Sequence, residues 1–72
     1  MSGHGAHLVD VLLEGGPAEV PPRQQVVLDD ETREKIKVPL LGGVEHFAVV
    51  GDPAADVNPR LYRWTMRTRI AE

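Results

Sequence analysis

The sequence contains no cysteine and only three aromatic residues, one Trp, one Tyr and one Phe, among 72. Without cysteine the chain can form neither a disulfide framework nor a cysteine-rich zinc site, which are common supports of very small domains. A domain of this length buries only about 60% of the surface that its unfolded chain exposes, so its margin of stability is small. We therefore expect the fold to depend on close packing or on a partner chain, for which a homodimer is one candidate.

Basic charge and long apolar runs are also scarce. Eight basic residues stand against eleven acidic ones, giving a net charge of −3, which disfavours a general nucleic-acid-binding protein. No stretch approaches the roughly 20 apolar residues of a membrane-spanning helix, and the amino terminus lacks the pattern of a signal peptide. Together with the lack of cysteine, these absences predict a cytoplasmic protein without a membrane partner.

The most informative segment that is present is the stretch 60–72, in which apolar and polar residues alternate. Such alternation is typical of a strand with one face toward a core and the other toward water. We predict that the indole and the phenol point inward and that the arginines point outward. The inward positions would be Tyr62, Trp64, Met66, Thr68 and Ile70, and the outward positions Arg63, Thr65, Arg67 and Arg69.

Four earlier segments also favour strands, because β-branched residues recur in them and glycine or proline separates most of them. The predicted strands are 8–14, 26–28, 35–40 and 44–50. Pro17, Pro21 and Pro22 predict an unpaired connection between the first two. Gly42-Gly43 predicts a hairpin turn before the fourth strand.

A polar stretch, 29–34, favours one helical turn with Asp29 or Asp30 as its cap and Glu31 facing Lys35. The resulting fold class is all-β, a small antiparallel sheet or barrel of about five short strands with at most one helical turn. We expect residues 1–7 to form a flexible N-terminal tail and residues 8–72 to form a single small β domain.

Three motifs follow one another along the chain. They are Leu13-Glu14-Gly15-Gly16-Pro17-Ala18, Gly42-Gly43-Val44-Glu45-His46-Phe47, and Tyr62-Arg63-Trp64 with Arg67-Thr68-Arg69-Ile70-Ala71-Glu72. In this order the motifs resemble those of a family of short actinobacterial proteins known only as a domain of unknown function. The resemblance runs from about residue 8 to the end. It implies a bacterial cytoplasmic setting and supplies no activity and no catalytic residue.

Glu45-His46 is the most enzyme-like pair, since a carboxylate can orient a neighbouring imidazole. Adjacent side chains of a strand point to opposite faces, however, so they cannot form a dyad without a bulge. If Phe47 faces inward, Glu45 does too and His46 faces outward. We therefore predict no catalytic residue and keep Glu45 and His46 as candidate ligand-binding residues.

No metal site or cofactor is predicted. His4, His7 and His46 are the only histidines, and no carboxylate stands at a spacing that would complete a site with them. No phosphate-binding glycine motif, serine elbow or cysteine nucleophile occurs either.

The arginines of the last segment suit an anionic partner, because a guanidinium binds a carboxylate or phosphate with a planar fork. Their simpler explanation is pairing with Glu45, Asp10 or Glu14 within the domain. Our leading hypothesis is a non-catalytic accessory protein that binds itself or a larger protein through the C-terminal strand. The alternative is a small-molecule binder or minimal enzyme using Glu45, His46 and arginines. The candidate partner-binding residues are Arg63, Arg67, Arg69, Trp64 and Tyr62.

Overall fold

The computed structural model describes residues 7–69, and five strands within them form one curled sheet, a half-barrel. The spatial order is β2-β1-β5-β4-β3. All neighbours are antiparallel except β1 and β5, which run parallel. The expected all-β fold is confirmed, as a mixed sheet, and no helix occurs between residues 7 and 69. The strands are β1 (Leu8–Glu14), β2 (Arg23–Val27), β3 (Lys35–Leu40), β4 (Gly43–Val49) and β5 (Arg60–Arg69).

Two of our predictions concern the ends of the sequence, which lie largely outside the described residues. The tail expected over residues 1–7 lies outside the described residues except for His7, whose carbonyl accepts a hydrogen bond from the Leu28 amide at 2.9 Å. The end of the last predicted strand, residues 70–72, also lies outside them. Within the described part, no helix is long and apolar enough to span a membrane.

The second strand begins three residues earlier than predicted, at Arg23. It lies at the edge of the sheet beside β1, so it needs no continuous apolar run. Polar side chains support it instead, since Gln25 Nε2 donates to Asp10 Oδ1 at 3.1 Å. The apolar residues of the sequence therefore predicted only the carboxyl-terminal end of β2.

The polar stretch before β3 forms a hydrogen-bonded turn that Asp29 caps. Its carboxylate oxygen Oδ1 accepts from the Thr32 amide at 2.8 Å, as predicted for a cap. The sequence predicted that Glu31 would face Lys35. In the structure the Glu31 carboxylate pairs instead with Lys37, at 3.4 Å. The Lys35 amide does donate to the Glu31 carbonyl at 3.0 Å, but the chain is extended from Lys35 onward, so the two side chains do not lie on one helix face.

The β3–β4 hairpin turns one residue earlier than Gly42-Gly43 predicted. Leu41 and Gly42 are its central residues, with φ of 50° and 78°, and Leu40 pairs with Gly43 across the turn. Positive φ at both central positions is the mark of a type I′ turn, where Asn and Gly are the favoured residues. Leu41 thus occupies a left-handed conformation that costs a residue with a β-carbon about 1–2 kcal/mol.

Replacing Leu41 with Asn is expected to raise the free energy of unfolding by about 1 kcal/mol, because Asn tolerates the left-handed region that Leu resists. The Leu41 side chain is 78% exposed, so little packing is lost. Urea denaturation followed by circular dichroism measures the change. Gly42→Ala, which adds a β-carbon at a positive φ, is expected to act in the opposite direction. A loss of stability in Leu41→Asn would contradict this account.

The core lies on one face of the sheet, called here the inner face. The β1–β2 connection contributes Val20 to it from outside the strands. Cross-strand pairs place Leu13 beside Tyr62 and Ile36 beside Phe47, so the two halves of the sheet share one core. Its buried members are Val11, Leu13, Val20, Ile36, Phe47 and Tyr62.

A β-bulge in β5 overturns the predicted division of that strand into an apolar and a cationic face. Phe47 pairs with Trp64 but His46 pairs with Met66, so one residue of β5, Thr65, is extra. Because strand side chains alternate with a period of two, one extra residue exchanges the faces beyond it. Arg67 therefore lies on the inner face opposite Glu45, and Met66 lies on the outer face with His46.

The buried end of β5 holds two connections against the sheet. Arg60 is only 3% exposed, and its guanidinium donates to the backbone carbonyls of Pro53 and Ala55 at 2.9 and 2.8 Å and of Arg33 at 3.0 Å. Its Nε donates to the Tyr62 hydroxyl at 3.1 Å. One side chain thus joins the turn before β3 and the loop before β5.

Candidate functional site

The candidate site is the carboxyl-terminal half of β5 with the facing part of β4. The bulge divides the predicted partner-binding residues between the two faces of the sheet. Tyr62, Trp64 and Arg67 lie on the inner face, and Arg63 lies on the outer face. The structure therefore does not bring the arginines together into a single cationic face.

Glu45 is at the centre of the site and is only 1% exposed. The Trp64 indole Nε1 donates to Glu45 Oε1 at 2.8 Å, and Arg67 Nη1 donates to Glu45 Oε2. Arg67 Nη2 also donates to the Leu41 carbonyl at 2.9 Å. A carboxylate buried beneath an indole and a guanidinium has both oxygens engaged, which stabilises its ionised form.

These contacts set the titration of Glu45. The hydrogen bond from the Trp64 indole is the main influence that lowers the pKa of Glu45 below its ordinary value of 4.5, and the hydrogen bond and charge of Arg67 act in the same direction. Desolvation opposes them but does not prevail. The Glu45 carboxylate therefore stays ionised at neutral pH and is a fixed acceptor, not an acid that donates a proton.

Two glycines make this packing possible. A β-carbon on Gly43 would lie 2.7 Å from Arg67 Nη2 and 2.9 Å from the Thr68 carbonyl oxygen. A β-carbon on Gly16 would lie 2.6 Å from Phe47 Cζ and 3.6 Å from Trp64 Cδ1. The glycines of both predicted turn motifs thus also give the site the space it needs.

His46 lies on the opposite face of β4 from Glu45, as the strand alternation predicted. Its Nε2 is 2.6 Å from Thr68 Oγ1, a cross-strand hydrogen bond on the outer face. The bulge lies in β5 and does not turn His46 toward Glu45. The two candidate ligand-binding residues therefore do not converge on one cavity.

The arginines differ in how they are paired. Arg63 binds Glu14 of the neighbouring strand β1, with Nη2 at 2.7 Å from Glu14 Oε1, and Arg67 binds Glu45. These are two of the internal pairings considered from the sequence. In the part of the chain from residue 7 to residue 69, Arg69 has no ion pair.

The feature that sequence reasoning missed is an open sheet edge. β1 pairs with β5 only from Arg60 to Arg63, whereas β4 follows β5 as far as Arg69. Beyond Trp64, one edge of β5 has no strand beside it among the described residues. The sequence indicates only that the last predicted strand is much longer than the first. This difference in length predicts an open edge only once the two strands are known to be neighbours in the sheet.

The chain matches one known family. Residues 5–72 match the sequence model of a family described as a family of unknown function (DUF5988). The chain belongs to this family. The expected membership of a family of unknown function is thereby confirmed. No curated protein matches the chain, and no solved structure does.

No group of three or more histidine, cysteine or carboxylate side chains able to hold a metal ion occurs within residues 7–69. The family membership supplies no reaction and no ligand. The groups that the described part of β5 presents at the site are backbone donors and acceptors, exposed apolar side chains and guanidinium groups.

Replacing Glu45 with Gln is expected to lower the free energy of unfolding at neutral pH and to reduce its dependence on acid. A carboxyl group whose pKa is lowered in the folded state stabilises that state above its unfolded pKa and loses this effect as pH falls through the folded pKa. The difference between wild type and Glu45→Gln should thus be largest above pH 4.5 and should shrink below it. Urea denaturation at a series of pH values measures this difference.

The pH dependence of the wild-type protein alone would not isolate Glu45, because Asp29 contributes to it as well. The Thr32 backbone amide lowers the pKa of Asp29, so the wild-type protein loses stability in the same pH range from a second group. Asp29→Asn, whose contribution is independent of β5, is the matched control, and it should leave the emission spectrum of Trp64 unchanged. A difference between wild type and Glu45→Gln that stays constant down to acid pH would contradict the predicted ionisation.

Proposed function

We propose that this protein is a non-catalytic interaction protein that binds an extended protein segment by adding it as a strand to the open edge of β5. The observation that supports the proposal is the edge itself: β1 pairs with β5 only as far as Arg63, so the edge of β5 that faces away from β4 has no strand beside it from Thr65 to Arg69 among the described residues. An exposed strand edge presents a row of unpaired backbone donors and acceptors that an extended peptide can complete.

The backbone of β5 directs hydrogen-bonding groups toward the open edge. The Thr68 carbonyl oxygen lies next to Gly43 of β4, 2.9 Å from the position of a β-carbon there. Because backbone groups of successive strand residues point to opposite edges, Arg67 and Arg69 direct their N–H and C=O groups toward the open edge. Those two residues would make the main-chain hydrogen bonds with an added strand.

The other two edges of the sheet carry features that discourage pairing. The edge strand β3 contains Lys35, Lys37 and Pro39, and lysine and proline are common protections against edge-to-edge association. The opposite edge strand, β2, is only five residues long. The open part of β5 has neither lysine nor proline, so it is the edge best suited to accept a strand.

Apolar side chains flank the open edge on both faces. Trp64 on the inner face is 36% exposed and Met66 on the outer face is 52% exposed. Tryptophan and methionine are enriched at protein interfaces because they bury large apolar areas. They would supply the apolar contact that main-chain hydrogen bonds alone do not provide.

The alternative hypothesis, a small-molecule binder or minimal enzyme, draws no support from this geometry. Both carboxylate oxygens of Glu45 are engaged by Trp64 and Arg67, and His46 lies on the other face. The net charge of −3 and the internal pairing of Arg63 argue against a nucleic-acid partner. We retain bacterial cytoplasm as the proposed setting, from the family resemblance.

The test is backbone amide exchange measured by NMR on the full chain, alone and with designed eight-residue strand peptides built on alternating valine and threonine. Binding is expected to slow the exchange of the Arg67 and Arg69 amides, because an added strand takes them as donors. Arg69→Pro removes one of those donors without removing a hydrogen bond to β4, and should weaken binding at least tenfold. Arg69→Lys keeps both the N–H and the charge and is the matched control.

The proposal fails if neither a peptide nor a second copy of the chain protects these amides. It also fails if Arg69→Pro, still folded by circular dichroism, binds as tightly as Arg69→Lys. Protection confined to β2 or β3 would move the function to another edge and would equally overturn the proposal.

A further inference from the structure

We infer that the segment bound at the open edge of β5 comes from a different protein and carries acidic residues at alternate positions. This inference rests on the proposed function and specifies its partner. It follows from where the bulge places the arginines and from the registers that two copies of β5 could adopt.

Side chains directly opposite each other in a continuous sheet lie on the same face. Beyond the bulge, Arg67 and Arg69 lie on the inner face and Met66 and Thr68 on the outer face, as their pairing with β4 indicates. An added strand must therefore alternate in step with these positions. Two of its residues, separated by one position, would stand opposite Arg67 and Arg69.

A second copy of β5 does not satisfy this requirement. In a twofold antiparallel pair with matched faces, Arg67 of one copy stands opposite Arg67 or Arg69 of the other. Sliding the strands until Met66 faces its own counterpart would place Arg69 of one copy beside Arg63 of the other, where β1 already pairs. Like charges directly opposite are destabilising, so each of these registers between the described parts of two β5 strands is disfavoured.

The arginines retain capacity for a further acceptor. Arg67 binds Glu45 through Nη1 and the Leu41 carbonyl through Nη2, but a guanidinium has five N–H donors, and the Arg67 side chain is still 33% exposed. Arg69 has no ion pair in the described part of the chain. Carboxylates two residues apart on the added strand would reach both.

The partner segment is thus an extended sequence in which Asp or Glu alternates with apolar residues. The acidic side chains would lie over the inner face beside Arg67 and Arg69. The apolar ones would lie beside Met66 on the outer face. In β5 itself, arginines alternate with Met66 and Thr68. The partner segment would have carboxylates where β5 has arginines, which makes the charges of the two strands complementary.

The experiment uses three eight-residue peptides with one valine–threonine framework and with Glu, Gln or Lys at the alternate positions. Trp64 is the only tryptophan of the chain and stands at the start of the open edge, so its fluorescence reports binding, with amide exchange locating it. We expect the Glu peptide to bind at least tenfold more tightly than the Gln peptide, and the Lys peptide more weakly still. Binding of the Glu peptide should weaken as salt is raised.

Arg69→Glu provides the reciprocal test, because it should reduce the preference for the Glu peptide and raise affinity for the Lys peptide. Equal protection by all peptides would overturn the acidic specificity while leaving strand addition at the edge intact. Concentration-dependent protection of Arg67 and Arg69 in the chain alone would overturn the inference in favour of a second copy. No protection by any peptide or by the chain itself would overturn both this inference and the proposed function.

Discussion

Arg60→Met is expected to lower the free energy of unfolding by about 3 kcal/mol. The guanidinium satisfies carbonyls of Arg33, Pro53 and Ala55 together with the Tyr62 hydroxyl. A methionine of similar length fills the space but donates no hydrogen bond, and each acceptor left buried without a partner costs about 1–3 kcal/mol. Small domains have a total stability of only about 5–15 kcal/mol, so the variant should be close to unfolding at mild denaturant concentrations.

Urea denaturation followed by circular dichroism measures this loss, and Arg33→Met is the matched control. Arg33 contributes only its backbone carbonyl to the contact with Arg60, and its own side chain is exposed. The control should therefore stay within about 0.5 kcal/mol of wild type. Arg60→Met with the stability of the control would mean that the two connections are held by something other than this guanidinium.

Gly16→Ala is expected to cost about 2 kcal/mol, in the range typical of overpacked cores. The added methyl group would lie 2.6 Å from Phe47 Cζ and 2.9 Å from Phe47 Cε2. Phe47 is only 1% exposed, so either its buried ring or the Gly15-Gly16 segment must shift. The same urea denaturation measures the loss, and the emission of the neighbouring Trp64 should change with it.

A double-mutant cycle with Phe47→Leu separates the clash from other effects of the substitution. The smaller side chain leaves room for the methyl group, so the double variant should lose less stability than the sum of the single variants. Gly16 does not have a positive φ, so the expected cost of its substitution comes from the contact with Phe47 and not from backbone strain. Strict additivity of Gly16→Ala and Phe47→Leu would contradict the steric explanation.

Much of the fold follows from local patterns in the sequence. The bounds of β1 and β3 were predicted because apolar residues alternate through them and because glycine, proline or polar residues flank them. The first residues of β2 escaped prediction because an edge strand tolerates Gln24 and Gln25. The parallel pairing of β1 with β5 escaped it as well, since strand order depends on contacts between distant parts of the chain and not on local pattern.

The site was predictable only up to the bulge. The inward orientation of Glu45 and the outward orientation of His46 follow from simple alternation along β4, and the structure has both. Nothing in the sequence marks Thr65 as the extra residue, because no glycine accompanies it, and so the assignments from Met66 to Arg69 fell on the wrong face. The exposed methionine and the inward arginine of β5 are direct consequences of that single residue.

The central position of β5 also has a consequence for how the molecule is made. This strand leaves the ribosome after all the others, yet it lies between β1 and β4, so the two preceding hairpins have no shared neighbour until it is synthesised. Contacts that span most of the chain slow folding, because the intervening residues must be drawn into a loop first. The sheet should therefore form late and cooperatively, and the nascent polypeptide should remain sensitive to proteases until β5 has been synthesised.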